Sequence, residues 1–241
     1  MLAAAATTAA VTVSASTHRR MDGRLAVARA VQRYFQPVSE PTAVATTVEE
    51  VVPGLWHWSI SDDRIGGHIA AAHAVASLQG TVLIDPLPLA DEGMTRLGSV
   101  VAICLTTSSH QRSAWRLRRE LGVRVWAPAL VREVEEEPDV RYSEGDVLPG
   151  GLEAIFTPGA GTTQHSFLQP EAGALFTPDL FTRDPDGPLT LVPAEFMHDP
   201  EEARRSARRL LDLHFAILCT AHGAPVADDP HGAIRRALDF G

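Results

Sequence analysis

Residues 100–122 read VVAICLTTSSHQRSAWRLRRELG, and this stretch predicts a buried strand that leads through a polar loop into a helix. Its first six residues are apolar and rich in β-branched side chains, which is typical of a strand covered on both faces. Apolar residues then recur at the spacing of one helical face: Ala114, Leu117 and Leu121. Gly122 predicts the end of this helix, and Ser108 or Ser109 is available as its N-cap. The polar loop at 106–112 is therefore the first candidate for chemistry.

The composition predicts one main domain and excludes several classes of partner. The 241 residues are 45% hydrophobic, which suffices for one sizeable core and is small for two full domains. A formal net charge of −9 argues against nucleic-acid binding, because contacts to phosphates need clustered Lys and Arg. The sequence contains no apolar run of about 18 residues, so we predict no membrane span. Cys104 and Cys219 lie in apolar runs without a CxxC pattern, which favours a reducing compartment and hence the cytoplasm.

The first 47 residues differ from the rest of the chain in composition and in predicted structure. Residues 1–16 are low in complexity and predict a disordered tail. A helix is predicted at 23–35. Its apolar face either packs on the main domain or mediates self-association into a homo-oligomer. Residues 37–47 are polar and contain prolines, which predicts a linker. We therefore divide the chain into a tail, helix and linker at 1–47 and one domain at 48–241.

Short strands and helices follow one another along this domain. The first strands, which predict an antiparallel meander, lie at 51–60, 68–77 and 81–86. Further strands are predicted at 123–127, 152–156, 165–168, 173–177 and 216–220. Helices are predicted at 91–97, 130–137 and 231–240, and after a capping Asp199. Trp56 and Trp58 are two residues apart in a strand, so both indoles lie on one sheet face, where core packing is the default. This alternation predicts an α/β or α+β fold with a mixed sheet.

Five short motifs, in this order, resemble the metallo-β-lactamase fold superfamily over about residues 51–241. They are Leu83-Ile84-Asp85 for the family's vLIDtG strand, 103–112 for its iiLTHxHxDH loop, 156–159 for tPGHTpG, 175–179 for lftGD and 218–223 for vlpgHG. The resemblance implies an αββα sandwich of two mixed sheets flanked by helices, and a structural role for Asp85. It also implies zinc-dependent hydrolysis. In such sites His and Asp side chains bind the zinc ion, which lowers the pKa of a bound water.

Most ligand positions of that family are replaced in this chain. In place of ligands the sequence has Thr107, Ser109, Gln111, Arg112 and Ala160. Two positions keep a ligand residue: the bridging carboxylate is Asp179, and the last histidine is His222. Arg112 is expected to place a fixed positive charge where the family holds a cation. The resemblance therefore implies a divergent member that has lost the standard dinuclear zinc site.

Two further histidines offer a rebuilt site. His110 lies one residue from the second histidine position, and His165 follows the Pro158-Gly159 turn. With Asp179 and His222 they make a set that suits a single Zn²⁺, Fe²⁺ or Mn²⁺ ion. The alternative is that these histidines line a pocket without any metal.

A metal-free mechanism is also open, in which Asp179 orients His222 as a general base and Arg112 stabilises an oxyanion. The predicted pocket consists of Thr107, Ser109, His110, Gln111, Ala160 and His165. The resemblance implies a small ester, thioester or lactone-like substrate, with hydrolysis as the reaction. From a different class of function, the chain is a catalytically inactive module that binds a ligand or assembles through the same fold.

Overall fold

The computed structural model describes residues 40–185 and 187–240, so the helix predicted at 23–35 lies outside the described residues. Seven strands form the first sheet: β1 Glu49–Val52, β2 Leu55–Asp62, β3 His68–Ser77, β4 Gly80–Ile84, β5 Val100–Cys104, β6 Arg124–Pro128 and β7 Val140–Tyr142. The strands from β1 to β4 are antiparallel, as predicted, and those from β4 to β7 are parallel. This sheet is therefore mixed.

The second sheet is also mixed. Its strands are β8 Val147–Leu148, β9 Leu152–Phe156, β10 His165–Gln169, β11 Ala174–Thr177 and, after a separate hairpin, β14 Ile217–Thr220. The separate hairpin consists of β12 Phe181–Arg183 and β13 Leu189–Leu191. β14 pairs parallel with β11, and the strands from β8 to β11 are antiparallel. The hairpin of β10 and β11 confirms the strands predicted at 165–168 and 173–177.

Helices cover the outer faces of both sheets. They are α1 Asp91–Leu97, α2 Ala114–Leu121, α3 Pro200–Leu210 and α4 Pro230–Phe240. One apolar cluster lies between the first sheet and the first two helices, a second between the sheets, and a third between the second sheet and the last two helices. Trp56 and Trp58 both contribute to the first cluster, which confirms the core packing predicted for them. These layers confirm the αββα sandwich. None of the described helices has the length and apolar character of a membrane span.

Local chemistry explains where the helices begin and end. Asp199 caps α3 by accepting a hydrogen bond from the backbone of Glu202, and a proline occupies the first turn. Gly122 ends α2 at a φ of 67°, a left-handed conformation that glycine adopts without strain. The N-cap predicted for α2 is wrong. Ser108 lies in a separate 3₁₀ turn, Ser108–His110, and the residue before α2 makes no side-chain capping bond.

Two other predictions need correction. The helix predicted at 130–137 is an irregular loop, because its run of glutamates leaves no continuous apolar face and its backbone is held by side chains from elsewhere. Within the segment predicted as a linker, Ala45 is buried and forms a parallel bridge with Leu89.

Candidate metal centre

The candidate site lies where parallel strands end. β4 and β5 are paired with Ile84 opposite Cys104, so Asp85 and the loop at 106–112 leave the first sheet at the same edge. Ligands commonly bind at the carboxyl ends of neighbouring parallel strands, because loops from different parts of the chain meet there.

The second sheet contributes in the same way. β11 and β14 are parallel with Thr177 opposite Thr220, so Asp179 and His222 follow at one edge. The backbone N–H of Ala71 in β3 donates to the carbonyl of Ala221 over 2.8 Å and links this edge to the first sheet.

His110, Asp179 and His222 come together at this junction. Nε2 of His110 lies 3.0 Å from Oδ1 of Asp179, and Nε2 of His222 lies 2.9 Å from the same oxygen. Within the described ranges, these three residues form the one group of at least three His, Cys, Asp or Glu whose potential ligand atoms all lie within 4.8 Å of one another. Two imidazole nitrogens and one carboxylate oxygen therefore converge on one point.

The other nitrogen of each ring also faces an acceptor. Nδ1 of His222 lies 2.9 Å from the carbonyl oxygen of Ile69, and Nδ1 of His110 lies 2.9 Å from Oδ2 of Asp85. Each Nδ1 must therefore carry a proton, because carbonyl and carboxylate oxygens only accept. Nε2 is then the nitrogen of each ring that faces Asp179.

Asp85 is held by three donors. Its Oδ1 accepts from the backbone of Thr106 over 2.8 Å, and its Oδ2 accepts from the hydroxyl of Thr106 over 2.5 Å as well as from His110. Its backbone has a φ of 47°, which is uncommon for a residue with a side chain but tolerated by Asp and Asn. A structural role for Asp85 is predictable from the resemblance, but its contact with His110 is not, because that contact exists only once β4 and β5 are neighbours.

Charges at the site favour ionised groups. Burial raises the pKa of the Asp179 carboxyl, but His110 and His222 lower it by more, so this pKa lies well below its usual range. Burial and Arg112 lower the pKa of His110, while Asp179 and Asp85 raise it, with a net increase. The protein thus stabilises positive charge next to Asp179.

The site opens to solvent on one side. The side chain of His110 is 5% exposed, whereas those of His222 and Asp179 are 18% and 25% exposed. The hydroxyl of Ser109 lies 3.3 Å from Oδ2 of Asp179 and 3.5 Å from the hydroxyl of Thr107. Two of the replaced ligand positions thus contribute neutral hydroxyls beside the cluster.

Gln111 points away from the cluster, although it was predicted to line the pocket. Its amide nitrogen donates to the carbonyls of Ser108 and Glu133, and its amide oxygen accepts from Trp115 Nε1 and the backbone of Glu135. All hydrogen-bonding capacity of this side chain is thus used within the fold, and two of its four bonds hold the loop at 130–139. Gln111 therefore has a structural role.

Arg112 is buried, and its bonds run to the backbone. Nη1 donates to the carbonyls of Ala71 over 2.6 Å and of Asp85 over 3.0 Å. Burial lowers the pKa of its guanidinium, and the charges of Asp85 and Asp179 oppose this change. Arg112 therefore ties β3 to the residue after β4 while its charge acts on the site.

His165 and Ala160 lie outside the cluster. The ring of His165 packs against Tyr142 and Phe156, and its Nδ1 donates to the carbonyl of Thr163 over 3.0 Å. Ala160 accepts a backbone hydrogen bond from His198 through its carbonyl. Of the four ligands predicted for a rebuilt site, the structure brings together His110, Asp179 and His222.

The chain is thus an αββα-sandwich protein with a cluster of potential metal ligands at the strand ends. The family model of the metallo-beta-lactamase superfamily matches residues 50–224, and the chain belongs to this superfamily.

Solved structures share the fold at low sequence identity. The metallo-β-lactamase DIM-1, solved after exposure to ceftazidime, is 15% identical with a TM-score of 0.65, and the match covers 82% of this chain and 97% of that one. A metallo-β-lactamase from Erythrobacter litoralis is 17% identical with a TM-score of 0.60, covering 80% and 90%. An archaeal superfamily protein from Sulfolobus tokodaii is 19% identical with a TM-score of 0.58, covering 77% and 85%. None of the curated proteins matches the chain.

Proposed function

We propose that this protein is a hydrolase with a single divalent metal ion held by His110, Asp179 and His222, in place of the dinuclear zinc site. The convergence of two imidazole nitrogens on Oδ1 of Asp179 is the observation that carries this proposal. Three protein ligands with an open position are typical of catalytic zinc sites, and two histidines with one carboxylate also suit Fe²⁺ or Mn²⁺.

The surrounding hydrogen bonds fit a metal ion. A metal ligand histidine usually donates its other N–H to a carbonyl or carboxylate, as Nδ1 of His222 does to Ile69. A cation would also accept the Nε2 lone pairs of both rings and a lone pair of Oδ1 of Asp179 together. These contacts support a cation at the point where the three ligand atoms meet.

Loss of the dinuclear site is part of the proposal. The positions resembling the missing ligands hold short hydroxyl side chains at Thr107 and Ser109 and a methyl group at Ala160. Gln111 and Arg112 make hydrogen bonds to other parts of the fold. No second set of three ligands forms within residues 40–185 and 187–240.

The proposed reaction is hydrolysis of a small ester, thioester or lactone-like substrate. A bound divalent ion supplies Lewis acidity, which polarises a carbonyl group and lowers the pKa of water. Substrate reaches the site from the side of Asp179 and His222, the more exposed members. The hydroxyl of Ser109 donates to Oδ2 of Asp179 over 3.3 Å and so helps to hold this carboxylate in place. The buried charge of Arg112 favours an anionic transition state nearby.

The metal-free mechanism has weaker support. A general base needs a free nitrogen lone pair, and both nitrogens of His222 already face acceptors.

An inactive binding module is the second candidate function. It is favoured by Gln111, whose side chain holds a loop and has no capacity left for chemistry.

Metal analysis tests the site itself. Protein purified without chelator is expected to bind one equivalent of Zn²⁺, Mn²⁺ or Fe²⁺. His222→Ala and Asp179→Asn should both lose it, because each removes one of three ligands. His68→Ala, which changes an exposed histidine on β3, is the matched control and should bind as the wild type does. Absence of metal after all three ions have been added contradicts the proposal.

Substrate screens then separate an enzyme from a binding module. Metal-loaded protein is expected to hydrolyse p-nitrophenyl acetate, a thioester or a lactone, and His222→Ala should not. Metal binding without turnover of any of these classes supports the module instead.

A further inference from the structure

Asp85 contacts one of the three proposed ligands without being a ligand itself. We propose that Asp85 is a positioning residue that fixes the tautomer of His110, so that Nε2 of that ring is the atom offered to the metal. The inference rests on the proposed metal site, which does not itself assign any role to Asp85.

The geometry at His110 leaves one arrangement for a bound cation. Nδ1 faces Oδ2 of Asp85 at 2.9 Å, and Nε2 faces Oδ1 of Asp179 at 3.0 Å. A neutral imidazole carries one N–H, and its other nitrogen has the lone pair that binds a metal. Because a carboxylate can only accept, Asp85 keeps the proton on Nδ1 and leaves the lone pair on Nε2.

Asp85 is itself held in this orientation. The backbone N–H and the hydroxyl of Thr106 both donate to its carboxylate, over 2.8 Å and 2.5 Å. Nη1 of Arg112 donates to its backbone carbonyl over 3.0 Å. The side chain is 5% exposed, so water does not compete for these contacts. A fixed acceptor therefore holds the ring of His110 at Nδ1 and sets its orientation.

His110 needs such an anchor because of where it lies. It ends a 3₁₀ turn of three residues, Ser108–His110, which follows an extended Thr107 and precedes a Gln111 that is bonded elsewhere. The two carboxylates that face its ring, Asp85 and Asp179, follow strands of different sheets. Without Asp85, the backbone of this short turn would not determine which nitrogen faces Asp179.

Asp85→Asn tests the role with little change in shape. The amide oxygen still accepts from Thr106, and Asn tolerates the φ of 47°. The amide nitrogen then donates to Nδ1 of His110, which moves the ring proton to Nε2 and blocks the ligand atom. We expect zinc affinity to fall about 10- to 100-fold, the usual effect of losing such a partner. The absorption spectrum of bound Co²⁺ should also change.

Asp62→Asn is the matched control. Asp62 is also buried, and its carboxylate bonds Arg64 without touching any of the proposed ligands. Its zinc affinity and Co²⁺ spectrum are expected to equal those of the wild type.

Calorimetric titration with Zn²⁺ distinguishes the outcomes. Equal affinity of the wild type and Asp85→Asn overturns the role of Asp85 and leaves the metal site standing. No binding of Zn²⁺, Mn²⁺ or Fe²⁺ by the wild type overturns the metal site and, with it, this role. Should Asp85→Asn not fold, ¹⁵N NMR of the zinc-loaded wild type decides. A proton on Nδ1 of His110 supports the inference, and a proton on Nε2 overturns it.

Discussion

The position of His165 in the sequence predicts a metal ligand, whereas its position in the fold does not. It begins β10 opposite Phe156 in β9, and its ring packs on aromatic neighbours instead of joining the cluster. We predict that His165→Phe keeps one equivalent of metal with unchanged affinity, because Phe preserves the packing and no ligand atom is lost. Metal titration of the purified variant checks this. A loss as large as that of His222→Ala would show that His165 is a ligand.

The site could be predicted from the sequence only in part. Asp179 and His222 each follow a recognisable strand, and His110 lies in the polar loop after another, so three candidates were identified. The direction of a side chain was not predictable, which is why His165 and Gln111 were also placed in the pocket. The contact between Asp85 and His110 joins residues 25 positions apart and depends on how two strands pair.

At the scale of elements, the loop at 130–139 depends on Gln111. Its side chain bonds the backbone at Glu133 and Glu135 and the indole nitrogen of Trp115. Gln111→Ala leaves the buried Trp115 N–H without a partner, so we expect a loss of about 1–3 kcal/mol in the free energy of unfolding. Urea unfolding measures this loss, and amide hydrogen exchange should show faster opening of the loop.

Glu133→Ala is the control for that experiment. Glu133 contributes its backbone carbonyl to Gln111, and its side chain is exposed. This variant should unfold like the wild type. Equal effects of both substitutions would contradict the role of Gln111.

Elements with a clear pattern were predictable and the shortest ones were not. β5, α1, α2 and α4 have apolar patterns or caps that the sequence displays. The strands β7, β8, β12 and β13 have two or three residues each, too few for any periodicity. The run at 51–60 is divided by a turn at Pro53-Gly54, so that it supplies parts of two strands.

At the scale of the whole molecule, two buried histidines join the sheets. His57 and His73 are cross-strand partners with ring centroids 5.2 Å apart, and Nε2 of His73 donates to the carbonyl of Thr220 over 3.0 Å. Their Nδ1 atoms are buried without a hydrogen-bond partner among the described residues. Burial lowers the pKa of His57 to about 4, and burial together with the charge of His57 lowers that of His73 to about 3.

These two pKa values predict that the fold weakens in mild acid. Between pH 6.5 and about 5 these two histidines bind protons in the unfolded chain but not in the folded protein. The free energy of unfolding therefore falls as the pH falls. Each such histidine contributes about half of 1.4 kcal/mol per pH unit at pH 6.5, and the contribution rises toward 1.4 kcal/mol per pH unit as the unfolded imidazole becomes fully protonated. His110 does not add to this slope, because its raised pKa gives a stabilisation that is already complete below pH 6.5.

Urea unfolding of metal-free protein at several pH values from 6.5 to 5 measures the slope. His57→Leu removes one buried imidazole and is expected to make the slope shallower by at most about 1.4 kcal/mol per pH unit. His68→Ala changes an exposed histidine on the neighbouring strand and should leave the slope as it is. A slope that is the same in His57→Leu as in the wild type would show that His57 does not remain neutral between the sheets.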